Sequence, residues 1–238
     1  NDTNVYAGTN KGFYITTDNG NSWTLKRLGL DTAAIYTIAI NKNNIYAGSK
    51  NGIYVSTDNG NNWLYKNLDS DGKYVFSLAI NGNTIYVGTD NGFYTSTDNG
   101  DNWIQKNSGL GSTYISAIMI NNNKIYIGTE GGIYQTTDED SSWTLIRKTS
   151  GMDYIRIYTL VLNNENGNIY AGTEKGIYIS NDEGISWTPK NTGIASSDIT
   201  DFAVNENNIF TSSMNYGIFL STNNGNNWTE KNEGLISQ

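Results

Sequence analysis

The sequence contains no cysteine and no histidine in 238 residues, and only one proline, Pro189. Without those side chains there is no disulfide, no thiolate or imidazole metal site and no Ser-His-Asp or Cys-His machinery. Arginine is scarce as well, with Arg27, Arg147 and Arg156 the complete set. Lys and Arg number 15 against 23 Asp and Glu, giving a formal charge of −8 and a sequence pI of about 4.5. Nucleic acid and anionic membranes need a basic face to displace counterions, so neither is expected as a partner. No run of about 20 apolar residues is present, which excludes a spanning helix and leaves no expectation of membrane insertion. No signal-like segment opens the chain, and it starts at Asn1 rather than Met, which points to a mature piece of a longer protein.

What is present is a repeat. Residues 16–23 read TTDNGNSW, and related octets return at 56–63, 96–103, 136–143, 180–187 and 221–228. They hold every tryptophan: Trp23, Trp63, Trp103, Trp143, Trp187 and Trp228. The spacings between these are 40, 40, 40, 44 and 41 residues, so the whole of 1–238 reads as one domain built from one unit. A period of this length marks a solenoid, a propeller or an array.

The octet reads as a self-bonded turn followed by an anchor. A carboxylate at its third position (Asp18, Asp58, Asp98, Asp138, Asp182) can accept backbone N–H groups a few residues on. Glycine at the fifth (Gly20, Gly60, Gly100, Gly184, Gly225) permits positive φ, and Ser or Thr at the first adds a side-chain bond. Tryptophan at the eighth starts the next strand and needs burial. Two copies depart from the pattern: Asp140 stands where glycine is expected, and Asn223 replaces the aspartate, so both turns should be less tightly bonded.

Between octets the unit predicts four short strands, as at 74–80, 84–88, 93–96 and 103–107. That is a propeller blade. The chain enters at a second strand, so the expected fold is all-β, a six-bladed β-propeller of four-stranded antiparallel blades whose first blade lacks its inner strand. The inner run YVFSLAI predicts burial on both faces, with small residues (Thr37, Ala39, Ser77, Ala79) on one and large ones (Ile38, Ile40, Leu78, Ile80) on the other. A lysine three residues past the tryptophan (Lys26, Lys66, Lys106, Lys190, Lys231) reads as protection of an exposed edge, where Pro189 is also tolerated. Ten tyrosines hold two repeated strand positions and read as core: Tyr6, Tyr46, Tyr86, Tyr126, Tyr170 and Tyr14, Tyr54, Tyr94, Tyr134, Tyr178.

The pattern S/T-x-D-x-G-x-x-W resembles the Asp-box, or BNR repeat, of sialidase-like β-propellers, over essentially the whole chain. In that family the boxes lie between the third and fourth strands of a blade, away from the active site. They occur in sialidases, other glycosidases, sorting receptors, photosystem assembly factors and many non-catalytic surface domains. The resemblance implies the non-catalytic branch and an extracellular or periplasmic location. A sialidase needs three arginines gripping one carboxylate, and Arg27 and Arg147 both belong to outer strands.

Positions that break the repeat mark where a ligand would sit, on the face expected to surround a channel mouth. They are Tyr36, Tyr74, Tyr114, Arg156, Tyr158, Asp198 and Tyr216, whose phenols and charges could stack on a ring and bond its substituents. Loop acids that could reach this face are Asp90, Glu130, Glu174, Asp69, Asp71, Asp153 and Asp198. A glycosidase would need two of them about 5–10 Å apart. The leading expectation is a binding or interaction propeller presenting one face to a glycan or a protein, with no cofactor and no metal. The alternatives are a glycoside-active enzyme and a purely structural amplified or engineered repeat. A monomer is expected, unless another chain supplies the missing inner strand.

Overall fold

The computed structural model describes residues 4–30, 34–68, 74–137, 142–146, 152, 154–195 and 198–235. Six antiparallel sheets form the blades of an all-β propeller, and the described residues contain no helix. The chain falls into two compact units. One comprises Asn1–Asn107 and Thr113–Ile115, the other Ser108–Ser112 and Ser116–Gln238.

In the first unit the opening blade has three strands, Val5–Thr9, Gly12–Thr16 and Thr24–Lys26. The second has four: Ile35–Asn41, Asn44–Ser49, Gly52–Ser56 and Leu64–Lys66. The third repeats that pattern with Val75–Asn81, Thr84–Thr89, Gly92–Ser96 and Ile104–Gln105. Two cores lie between these sheets, one around Phe13, Ile35 and Trp63, the other around Tyr46, Val75 and Trp103.

The fourth blade runs through Ile115–Asn121, Lys124–Thr129, Gly132–Thr136 and Thr144–Leu145, nearly all of it in the second unit. The fifth has Ile157–Leu162, Ile169–Thr173, Gly176–Ser180 and Thr188–Pro189. Last come Ile199–Asn205, Asn208–Ser213, Gly217–Ser221 and Thr229–Glu230. Their cores gather around Tyr126, Ile157 and Trp187, and around Tyr170, Phe202 and Trp228.

The octet folds as its residues require. Asp58 Oδ1 accepts Ser56 Oγ at 2.9 Å and the Asn62 amide at 2.8 Å, and Asp58 Oδ2 accepts Asn62 Nδ2 at 2.6 Å. The preceding serine accepts the Gly60 amide at 2.8 Å, while Asn59 and Gly60 take φ of 57° and 79°. Asn223 keeps the bonds to Ser221 Oγ and the Asn227 amide through its oxygen, but its nitrogen cannot accept. One bond of the turn is therefore missing, as the sequence predicts. Asp138 and Asp140 lie outside the described residues.

Several expectations need correction. The fourth strands begin one residue after the tryptophan, because its amide is committed elsewhere: Trp63 N donates to Leu28 O at 3.0 Å, Trp143 N to Ser108 O at 2.9 Å, and Trp228 N to Thr192 O at 2.9 Å. The anchor is thus a link to the connector leaving the preceding blade. Trp23 is 43% exposed although the other five are buried, since no such connector covers it among the described residues. Tyr6 and Tyr14 of the same blade are half-exposed, where the other eight repeated tyrosines are buried.

Both faces of the inner strands pack: Ile38, Leu78 and Ile80 of the large face lie against the cores, and Leu160 and Phe202 at the place of Ile38 are buried. On the small side Val75 and Ser77, and Ile115, Ala117 and Met119, are buried, while Ile40 on the other side is 49% exposed. The small face meets a glycine of the preceding blade. A Cβ on Gly48 would lie 2.5 Å from Val75 Cγ1 and 2.6 Å from Thr37 Cγ2, closer than carbon atoms approach. In the last blade this position is Ser212, whose Oγ sits 2.9 Å from Thr200 Oγ1.

Three of the outer-strand lysines also link one blade to the next. Lys26 Nζ donates to Asn61 Oδ1 at 2.7 Å, Lys66 pairs with Asp101, and Lys190 Nζ donates to Asn226 Oδ1 at 2.9 Å. Each reaches the sixth residue of the next octet. Pro189 does lie on an edge strand, opposite Tyr178.

Candidate functional site

Four inner strands begin with a defect. The pairing shifts between Ile35 and Thr37, Val75 and Ser77, Ile157 and Thr159, and Ile199 and Asp201. The extra residues are Tyr36, Phe76, Tyr158 and Thr200. A bulge leaves one side chain out of the ladder and re-aims it, so these positions are relieved of the repeat's packing demands. The residue two positions earlier is clamped to the loop between second and third strands: Asp90 N donates to Tyr74 O at 3.2 Å and Tyr74 N to Asp90 Oδ1 at 3.2 Å. The same clamp joins Arg156 to Glu174, through bonds of 3.2 Å and 3.3 Å, and Asp198 O to the Met214 amide at 3.1 Å.

In the first unit this arrangement lines up four rings. Tyr36 stacks on Tyr74 at 6.1 Å between centroids, Tyr74 on Phe76 at 5.9 Å, and Phe76 meets Tyr114 at 4.7 Å. Tyr36 and Tyr74 are exposed, whereas Phe76 and Tyr114 are half-buried. Offset rings at these separations form a rigid apolar strip with hydroxyls along it. Sequence reasoning named Tyr36, Tyr74 and Tyr114 but missed Phe76, which touches all three. Its signal was available, because Phe76 falls at the same repeat position as Tyr36 and Tyr158.

In the second unit the equivalent positions carry charge. Arg156 Nη2 lies 3.4 Å from Glu130 Oε1, and its guanidinium carbon sits 5.5 Å from the Tyr158 ring centroid. Tyr158 donates its phenolic hydrogen to Asp198 Oδ1 at 3.0 Å. Burial pushes that phenol above its ordinary value, and the bond to Asp198 holds the proton further. Tyr158 is thus a neutral donor that fixes the carboxylate between a phenol and a main-chain clamp. Tyr216 is 51% exposed in the loop of the last blade, held by its main chain to Ser213 and Asn232, and its ring joins none of these contacts among the described residues.

The loop acids divide. Asp90, Glu130, Glu174 and Asp198 all have the structural partners named above, while Asp69, Asp71 and Asp153 lie outside the described residues. Arg27 is spent on Lys11 O, 2.7 Å from its Nη2, and Arg147 is not among the described residues. The described residues contain no group of three or more Asp or Glu that could hold a metal ion. Among the described residues no helix is long and apolar enough to cross a membrane.

The family model described as Photosynthesis system II assembly factor YCF48 matches residues 1–235. No curated protein sequence matches the chain. Among solved structures the chain is similar to YCF48 bound to D1 peptide, at 15% identity and a TM-score of 0.77, covering 100% of this chain and 81% of that one. YCF48 from Cyanidioschyzon merolae gives 15% identity and a TM-score of 0.71, over 99% of this chain and 83% of that one. The GH74 enzyme of Niastella koreensis gives 21% and 0.78, over 97% of this chain but 44% of that one. At these identities the likeness carries the fold.

Proposed function

The chain belongs to the Photosynthesis system II assembly factor YCF48 family, and on that premise we propose that it is a non-catalytic propeller that binds an extended segment of a protein partner. The observation that carries this reading is the strip of rings formed by Tyr36, Tyr74, Phe76 and Tyr114. Exposed, pre-stacked aromatics give large contact area at little loss of side-chain freedom, which is how peptide-binding surfaces obtain their anchors. A relative whose structure is described as bound to a D1 peptide supports a peptide as the class of ligand. The clamped group Arg156, Tyr158 and Asp198 supplies a second set of polar contacts, presented by rigid strand starts. We place this activity outside the cytoplasm, as an extracellular or periplasmic function.

A glycan is the second reading, favoured by the same exposed phenols, which stack on sugar rings as well as on side chains. One experiment separates the two. The purified chain is presented to a peptide array and to a glycan array, beside a Tyr74→Ala variant and an Arg156→Ala variant. Peptide binding that weakens at least about tenfold on loss of Tyr74 supports the proposal, as expected for an aromatic anchor. Binding to glycans alone, or peptide binding indifferent to both substitutions, overturns it.

A further inference from the structure

The dipeptide Asn-Gly invites attack of its own backbone on the carboxamide, because glycine has no side chain to shield its amide nitrogen. It occurs eight times, at 19–20, 51–52, 59–60, 81–82, 91–92, 99–100, 166–167 and 224–225. The attack needs a glycine N–H free to reach the asparagine Cγ and a carboxamide free to turn. The fold withholds this freedom from most of the pairs. In four octets Gly20, Gly60, Gly100 and Gly225 donate to a Thr or Ser hydroxyl at 3.0, 2.8, 2.9 and 2.8 Å. Gly167 N donates to Asn163 O at 2.8 Å, and the Asn166 carboxamide both donates to Asn224 Oδ1 and accepts the Asn168 amide. Gly52 and Gly92 open strands and are held in the ladder opposite Ser49 and Thr89.

The pair at 81–82 differs. Asn81 ends the inner strand of the third blade opposite Thr84, which makes Gly82 the first residue of a two-residue turn. The main-chain bond of such a turn joins the flanking residues and leaves the N–H of the first turn residue outside. Gly82 N accordingly has no hydrogen-bond partner among the described residues, and a Cβ built on Gly82 would meet no atom within 4 Å. The Asn81 side chain is exposed and makes no bond either. Its counterparts in two other blades are tied down: Asn41 Nδ2 donates to Gly82 O at 2.9 Å, and Asn163 Nδ2 to Glu206 O at 3.0 Å.

We propose that Asn81–Gly82 is a site of spontaneous covalent modification, at which the folded chain loses ammonia through a cyclic imide. The Gly82 nitrogen gives its proton to solvent base and bonds to Asn81 Cγ. The Cγ–Nδ2 bond then breaks, and the amide nitrogen takes up a proton and leaves as ammonia. Water, the one co-reactant, opens the ring at either carbonyl. Opening at the side-chain carbonyl leaves isoaspartate or aspartate at position 81 according to which ring bond to the Gly82 nitrogen is cut. Both products put a negative charge beside the carbonyl that Asn41 grips, and isoaspartate also adds a methylene to the main chain where the strand turns. The link from the second blade to the third thus carries the mark of the molecule's age. This inference is independent of the aromatic strip.

The test incubates the full chain, folded, in mildly alkaline buffer. Peptides are then mapped by mass, with isoaspartyl and aspartyl forms separated by chromatography. Both products are expected at Asn81 at least about tenfold faster than at any other Asn-Gly pair, the factor conferred by one ordinary hydrogen bond that need not be broken. A chain unfolded in denaturant should react at all eight pairs at similar rates, since those bonds are gone. The Gly82→Lys variant keeps the turn, because Lys42 fills the same place in the second blade at φ of 57°, and its side chain should suppress the reaction at Asn81. Conversion at another pair of the folded chain that matches Asn81 overturns the proposal. So do undiminished conversion in the Gly82→Lys variant and aspartate formed without isoaspartate, which bypasses the ring. An Asn81 that stays intact in the folded chain over the time in which the unfolded chain converts overturns it too.

Discussion

At the scale of single residues, the octet turn shows how a few side chains fix a backbone. Asp18 and Asp98 are held down to about 2 from an ordinary 3.8, the first chiefly by the Ser22 side chain and the second chiefly by that of Asn102. A folded-state value below the unfolded one stabilises the protein above the unfolded value. That contribution is fully present above pH 3.8 and is lost as the pH falls towards 2. Acid unfolding followed by circular dichroism should therefore fall in this window, and the Asp18→Asn, Asp98→Asn double variant should show a flatter profile there. Asn223 is the natural experiment in the opposite direction. Asn223→Asp restores an acceptor for Asn227 Nδ2 and is expected to raise stability by about 0.5–1 kcal/mol, read from denaturant midpoints. Glu183 holds φ of 56° where the other described octets have asparagine, a conformation that costs other residues more. Glu183→Asn should stabilise by up to about 1 kcal/mol in the same assay, because the exposed pair it forms with Lys124 contributes little.

At the scale of strands and turns, contacts between neighbouring blades dominate. Gly48→Ala drives a methyl group into Val75 and Thr37, so a loss of about 1–3 kcal/mol is expected. Ser212→Gly at the equivalent place should change stability far less, since a side chain is already accommodated there. Trp63→Ala should cost about 3–5 kcal/mol, whereas Trp23→Ala should cost clearly less because that indole is half in solvent. Equal losses at Trp23 and Trp63, measured by thermal melting, would contradict this account of the anchor. The strands, the turns and the sheet order were legible in the sequence because each rests on a local pattern of period two or on one octet. The lysine links were not, because the Asn or Asp that each lysine finds belongs to the following blade. Nor were the bulges, which arise from pairing between strands and leave no mark in a single one. Phe76 shares its repeat position with Tyr36 and Tyr158, but its contacts with Tyr36, Tyr74 and Tyr114 come from the bulge.

For the molecule as a whole, stability is a chain of neighbour terms, one blade supporting the next. The first blade has one strand fewer and an exposed tryptophan, so its amides should exchange before those of Asn44–Ser49. The glycine that receives a β-branched side chain from the following inner strand has a consequence for heredity. Its two halves sit in adjacent repeats, as Gly48 and Val75 do, and so do the lysine and its partner, as Lys26 and Asn61 do. A crossover that adds or removes one whole period re-creates every such pair at the new junction. The gene can therefore lengthen or shorten by a blade in one step, without an intermediate that fails to fold, whereas a crossover between unequal points within the period separates lock from key.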